Sequence, residues 1–145
     1  MFRKVNHVHF VGIGGIGMCG IAELLMNLGF RVSGSDLQES PIIMSLMNKG
    51  AKVYLGHERE NVTNSDVLVY SSAVHDDNPE ILAAQKFGIP VIKRAEMLGE
   101  LIAVKPTSIA IGGTHGKTST ASMVGSVLTE AKMEPTLVVG GHVKN

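Results

Sequence analysis

The sequence predicts an α/β fold, a doubly wound and mostly parallel sheet, followed by the opening strand–loop–helix unit of a second α/β domain. Three observations predict it. Short β-branched runs alternate with helix-period segments along residues 5–102. The strands read as near-continuous apolar runs, as strands covered on both faces do. A glycine-rich turn joins a strand to a helix twice, around Gly12 and again around Gly113.

"VNHVHFV" (5–11) reads as the first strand. From Ile16 the period changes, and Ile21, Leu24, Leu25 and Leu28 follow i, i+3, i+4, i+7, with Gly29 as the stop. "RVSGSD" (31–36) is a second strand. Ser40 then caps a helix that has Pro41 at its first position and Ile42, Ile43, Leu46 and Met47 on its buried stripe. "KVYL" (52–55) and "DVLVYS" (66–71) are the third and fourth strands, and "NPE" (78–80) opens a helix that stops at Gly88. "IPVIK" (89–93) is a fifth strand and "AEMLGELI" (95–102) a further helix. Crossovers between such parallel strands are expected to be right-handed.

"AVKPT" (103–107) reads as a hinge, which divides the chain into 1–104 and 105–145. Beyond it come the strand "SIAIGG" (108–113), the loop "THGK", a helix with Val124, Val127, Leu128 and Ala131 on one face, and a strand-like "TLVVGG" (136–141). So small a unit cannot bury a core of its own. It is expected to open a second domain whose remainder is absent, or else to dock on the first sheet as two extra strands.

Thirteen basic and thirteen acidic side chains cancel. That excludes general attraction to nucleic acid or an anionic membrane, so any phosphate recognition must be local. One cysteine, Cys19, excludes an intrachain disulfide and suits a reducing compartment. "MFRK" before an apolar stretch and Cys19 loosely resembles a lipoprotein leader, but His7, His9 and four glycines interrupt it and no small-residue pair precedes the cysteine. No run reaches the ~18 apolar residues of a membrane span. The expectation is an uncleaved, cytoplasmic protein. His7 and His9 share a strand face without ligand-spaced partners, so edge-of-core histidines are expected there rather than a metal site.

Gly12, Gly14 and Gly17 satisfy G-x-G-x-x-G between a strand and a helix, the Rossmann-like arrangement. The first glycine permits the turn, the second lets backbone approach a phosphate, and the third allows close helix packing. The helix N-terminus then faces a diphosphate. Asp36, at the end of the second strand, is placed to accept from a ribose hydroxyl, with a solvated acid in the "SDLQES" turn as the other reading.

"GTHGKTST" (113–120) is a short phosphate-binding P-loop. Its amides would cradle phosphates, Lys117 would neutralise charge as the catalytic cation, and the Thr118 hydroxyl would hold Mg²⁺. It departs from G-x-x-x-x-G-K-[ST], since Ile111 stands where that pattern has its first glycine. Two phosphate loops on separate units point to an ATP-driven enzyme acting on a nucleotide-linked substrate. The alternative is an NAD(P)-binding oxidoreductase or sensor domain, in which the second loop is incidental.

"GIGGIGM", "SGSD", "SSAV" with "DNPE", "RAEML" and "GTHGKT", in this order, resemble the Mur ligase family of peptidoglycan synthesis. The resemblance covers the whole chain but only about the first third of a typical member. It implies a UDP-sugar-binding domain over 1–104 and the start of an ATP-binding domain over 105–145. It further implies amide formation between L-alanine and UDP-N-acetylmuramate through an acyl phosphate, with ATP and Mg²⁺. Gly12, Gly14, Gly15 and Gly17 would then meet the UDP diphosphate, and Asp36, His57, Ser71 and Ser72 would lie around the ribose, uracil and diphosphate. Gly113, Thr114, His115, Gly116, Lys117, Thr118 and Ser119 would bind ATP. Oligomeric state is left open.

Overall fold

The computed structural model of the chain describes residues 5–139. In chain order it contains β1 (His7–Val11), α1 (Ile16–Asn27), β2 (Arg31–Asp36), α2 (Pro41–Asn48) and β3 (Lys52–Leu55). A single 3-10 turn (Arg59–Val62) precedes β4 (Val67–Tyr70), α3 (Pro79–Lys86), β5 (Val91–Lys93), α4 (Arg94–Val104) and α5 (Lys117–Glu130). The strands pair all-parallel in the order β3-β2-β1-β4-β5. Strand order reverses between β1 and β4, and in such sheets the ligand crevice lies beyond the carboxyl ends of the strands at that point.

Local chemistry sets the helix starts as expected. The Ser40 hydroxyl accepts from the Ile43 amide at 3.2 Å and the Asn78 side chain from the Glu80 amide at 2.9 Å, each followed by proline at the first helical position. The connection between β3 and β4 departs from the β-α-β rhythm. It holds one 3-10 turn in place of an α-helix, and Asn64 just beyond it takes a left-handed conformation (φ 69°).

The two faces of the sheet are chemically unlike. Val8, Phe10, Val32, Val67 and Val69 point to α1, α2 and α4 and build the larger core with Met18, Ile21, Leu25, Leu46, Met97 and Leu101. On the other face Val11 and Leu68 pack with Val62, Ile81 and Ala84, under α3 and the 3-10 turn. Here β1 and β2 also present His7, His9, Ser33 and Ser35, all buried. The strand period of two thus sorts an apolar side from a polar one.

Residues 108–113, expected as a strand, form none, and neither do 136–139. A strand exists only by pairing, and among the described residues no ladder partner lies beside either segment. Among the described residues neither segment docks on the first sheet as an extra strand, and positions 140 and 141 of "TLVVGG" lie outside the described residues. α5 does form, yet Gly125 is its one buried residue, covered by Leu137. Val138 reaches the larger core near Gly20, which joins this segment to the first domain.

Gly34 marks the tightest packing in the sheet. A Cβ there would stand 2.7 Å from Ile13 side-chain atoms and from the Phe10 carbonyl oxygen. Gly34→Ala is therefore expected to destabilise the chain by about 3 kcal/mol in urea unfolding, since backbone must shift to admit the methyl. Gly99, inside α4 with open space around it, is the counter-case. Gly99→Ala is expected to raise stability by about 0.5–1 kcal/mol in the same assay.

Candidate functional site: a cleft at the strand carboxyl ends

The glycine turn is pinned to β2. The Gly12 and Ile13 amides both donate to the Ser35 carbonyl, at 2.8 and 3.0 Å, and Gly12 adopts φ 78°, which its lack of a side chain permits. Asp36 closes the arrangement. Its Oδ2 accepts from the Gly14 amide at 2.9 Å and its Oδ1 from the Leu37 amide at 2.8 Å. A Cβ at Gly14 would lie 2.9 Å from that same Oδ2, so only glycine lets the carboxylate reach the turn. Asp36 thus clamps the loop, a role absent from both sequence readings, and keeps lone pairs for a ligand.

A cleft of about 730 Å³ opens at this edge. Gly12, Gly14, Gly15, Asp36, His57 and Ser71 all line it, so six of the eight residues expected around the UDP-sugar converge. Ser71 Oγ stands 4.0 Å from the Cβ position of Gly12 and joins the loop after β4 to the glycine turn. Ser72 is on that loop, exposed, and does not line the cleft. Gly17 lies in the first turn of α1 against the Arg94 guanidinium, with 3.2 Å from its Cβ position to Nη1. No Lys or Arg is among the cleft-lining residues. An anion there would rely on the first-turn amides and the positive end of α1, since the Gly12, Ile13, Gly14 and Gly15 amides already have acceptors within the chain. A second hollow, of about 510 Å³, opens at the opposite strand ends beside Arg31, Lys49 and Lys52, and holds none of the expected site residues.

Directly beneath the cleft lies a polar layer that sequence reasoning missed. Glu80 is fully buried. Its Oε2 accepts from Ser35 Oγ at 2.5 Å and its Oε1 from Asn61 Nδ2 at 2.6 Å. His57 Nδ1 lies 2.8 Å from Ser35 Oγ and 3.3 Å from Glu80 Oε2. His9 Nε2 makes no hydrogen bond of good geometry and faces Glu80 Oε1 at 3.5 Å. Burial pushes the Glu80 carboxyl up, but contacts with His9, Ser35 and Asn61 outweigh it and hold the group below its ordinary value.

Hydrogen-bond directions follow at the far end of the layer. His7 Nδ1 donates to the Asn64 carbonyl at 2.7 Å, so in the neutral ring Nε2 accepts from Ser33 Oγ at 2.7 Å. Ser33 Oγ in turn accepts from His9 Nδ1 at 2.8 Å. Burial holds His7 below its ordinary value, against the opposing hydrogen bond to Asn64. The two histidines are core residues, as expected, and among the described residues no cluster of His, Cys, Asp and Glu could hold a metal. The signal for Glu80 was present in "DNPE", where the acid sits in the first turn of a capped helix opposite the alternating serines of "RVSGSD".

The P-loop segment is more open. Gly116 takes φ 76° just before α5, and Lys117 Nζ donates to the Gly113 carbonyl at 2.6 Å. Gly113, Thr114, His115, Lys117 and Ser119 are exposed and Thr118 is half-buried.

Both buried groups have folded-state pKa values below their unfolded ones, so each stabilises the fold above its unfolded pKa and loses that contribution as pH falls. The urea midpoint is expected to drop in two windows on acidification. The first opens below the ordinary histidine value of 6.5 and belongs to His7. The second opens below the ordinary glutamate value of 4.5 and belongs to Glu80. His7→Gln is expected to flatten the first and Glu80→Gln the second.

Residues 7–106 match the Mur ligase family, catalytic domain. The UDP-N-acetylmuramate–L-alanine ligase of Persephonella marina is 57% identical over 99% of this chain and 31% of its own length. The ligase of the same name from Geotalea uraniireducens is 56% identical over 100% of this chain and 31% of its own. The crystal structure of UDP-N-acetylmuramate-alanine ligase from Thermotoga maritima superposes with a TM-score of 0.88 at 34% identity, covering 94% of this chain and 32% of that one. The chain spans about a third of the length of these relatives. With the family model matched over residues 7–106 and relatives of 56–57% identity along the whole chain, the chain belongs to the Mur ligase family.

Proposed function

We propose that this chain is the UDP-sugar-binding part, with the start of the ATP-binding part, of a cytoplasmic ligase that joins L-alanine to UDP-N-acetylmuramate in peptidoglycan synthesis. The cleft carries the reading. Gly12, Gly14, Gly15, Asp36, His57 and Ser71, drawn from four separate segments, face one volume of about 730 Å³, which suits a nucleotide-linked sugar. Residues 1–104 would bind the UDP-sugar, with the diphosphate over the glycine turn and the α1 N-terminus. Residues 105–145 would begin the ATP site. ATP would transfer its γ-phosphoryl group to the muramoyl carboxylate and leave as ADP, and the L-alanine amine would then displace phosphate from the acyl phosphate to form the amide. Gly113 through Ser119 would hold the ATP phosphates, and Thr118 would ligate Mg²⁺.

Lys117 fits this role, since its ammonium already sits over the loop on the Gly113 carbonyl and needs only to exchange that acceptor for a phosphate oxygen. An oxidoreductase is not favoured, because the similar proteins named above are ligases. Among the described residues no helix is long and apolar enough to cross a membrane.

Calorimetry is expected to show UDP-N-acetylmuramate binding to the chain and no heat with NAD(H); the reverse result overturns the reading. Lys117→Ala is expected to leave UDP-sugar affinity unchanged within about twofold, since the two loops serve separate ligands. The 145-residue chain is expected to release no ADP in response to L-alanine and UDP-N-acetylmuramate.

A further inference from the structure

We propose that Glu80 is a positioning residue for ligand recognition by His57. Acting through Ser35, it holds the His57 ring with its proton on Nδ1, so that Nε2 meets the cleft as an acceptor for an N–H or O–H donor of a nucleoside diphosphate. The inference rests on the UDP-sugar reading for the ligand's identity; the relay itself rests on geometry alone.

Glu80 Oε2 and Ser35 Oγ are 2.5 Å apart, the separation of a charge-assisted O–H···O⁻ bond, in which the hydroxyl is the donor. Ser35 has one hydrogen, so its oxygen can only accept from His57 Nδ1 at 2.8 Å. The same Nδ1 also lies 3.3 Å from Glu80 Oε2. Both neighbours of Nδ1 are acceptors, and the proton must sit between them on the ring. In a neutral imidazole the other nitrogen is then a bare acceptor.

The remaining partners hold the carboxylate still. Asn61 bridges Glu80 Oε1, at 2.6 Å, to the Gly56 carbonyl, at 3.2 Å, next to His57 itself. The Gly56 amide donates to the Asp36 carbonyl at 2.8 Å, which ties the end of β3 to the end of β2 and fixes the approach of the ring. A carboxylate removed from water costs more than an apolar residue of the same volume. Its place one residue behind a cleft histidine matches the way carboxylates orient ligand-binding imidazoles elsewhere. Two donors on a uridine nucleotide have the right chemistry, the base imide N–H and the ribose hydroxyls.

Long-range proton–nitrogen correlation spectra of the ligand-free chain, at mildly alkaline pH, report which ring nitrogen of His57 carries the proton. The expected signature is a proton on Nδ1, and a proton on Nε2 overturns the relay without any ligand being involved. In Ser35→Ala, which removes the 2.8 Å acceptor and leaves Nδ1 only Glu80 Oε2 at 3.3 Å, the Nε2-protonated form is expected to rise at the expense of Nδ1 and UDP affinity to fall roughly tenfold. Glu80→Gln is expected to act in the same direction and serves as the second variant; the parent spectrum needs neither.

A shifted tautomer with unchanged UDP affinity overturns the role in recognition. A parent chain with the Nδ1 proton but no UDP binding overturns the UDP-sugar reading and leaves the relay without this ligand. N3-methyl-UDP and 2′,3′-dideoxy-UDP identify the donor: the analogue whose penalty in the parent vanishes in Ser35→Ala lacks the group that His57 reads. If neither penalty vanishes, His57 reads no donor of the nucleotide and the inference fails.

Discussion

A carboxylate shut away from water imposes conditions on everything around it. Glu80 requires donors on both oxygens, and they come from elements distant in sequence: Ser35 from β2, Asn61 from the 3-10 turn, with His9 of β1 and His57 alongside. Each must be held at its distance, or the chain is left with a buried unpaired charge costing several kcal/mol. The short 3-10 turn makes sense in this light. A full helix between β3 and β4 would carry Asn61 elsewhere, whereas one tight turn places its amide over Glu80 and the Gly56 carbonyl.

The same condition explains why the two sheet faces differ. On the α1 side the strands need only fill space, and they do so closely enough that Gly34 admits no side chain. On the α3 side the alternate residues of β1 and β2 form a hydrogen-bonded layer from Asn64 to His9, whose Nε2 then faces Glu80 at 3.5 Å. That layer rises to the cleft at His57. The glycine turn above it ties the Gly12, Ile13 and Gly14 amides to the Ser35 carbonyl and the Asp36 carboxylate, and the cleft beside it is lined by no lysine or arginine.

Much of this was legible in the residues. Apolar period, Ser40–Pro41 and Asn78–Pro79 located the helices, since those signals act within one turn of chain. G-x-G-x-x-G with Asp36 located the cleft, because its glycines are required by backbone geometry. What the sequence concealed depends on long-range pairing. "SIAIGG" has strand composition, yet a strand needs a neighbour to bond, and composition does not disclose one. Glu80 entered only as the end of the "NPE" helix start, and Asp36 read as a ligand acceptor or a solvated acid. Only the folded chain, which brings Ser35 and Asn61 onto Glu80 and the Gly14 amide onto Asp36, shows that one is buried and the other clamps a loop. His57 and Ser71 entered through family resemblance; no local pattern singles them out.

The strand order also has a temporal side. β1, β2 and β3 pair with neighbours in the sequence, whereas β4 must return past two strands to lie against β1, closing a long loop before any contact offsets its entropy. Glu80 arrives with that second half, while Ser35, His9 and His57 belong to the first. The cleft straddles the same seam, with Gly12, Asp36 and His57 on one side and Ser71 on the other. The contacts that shape it thus lie across the join whose closure costs the most chain entropy.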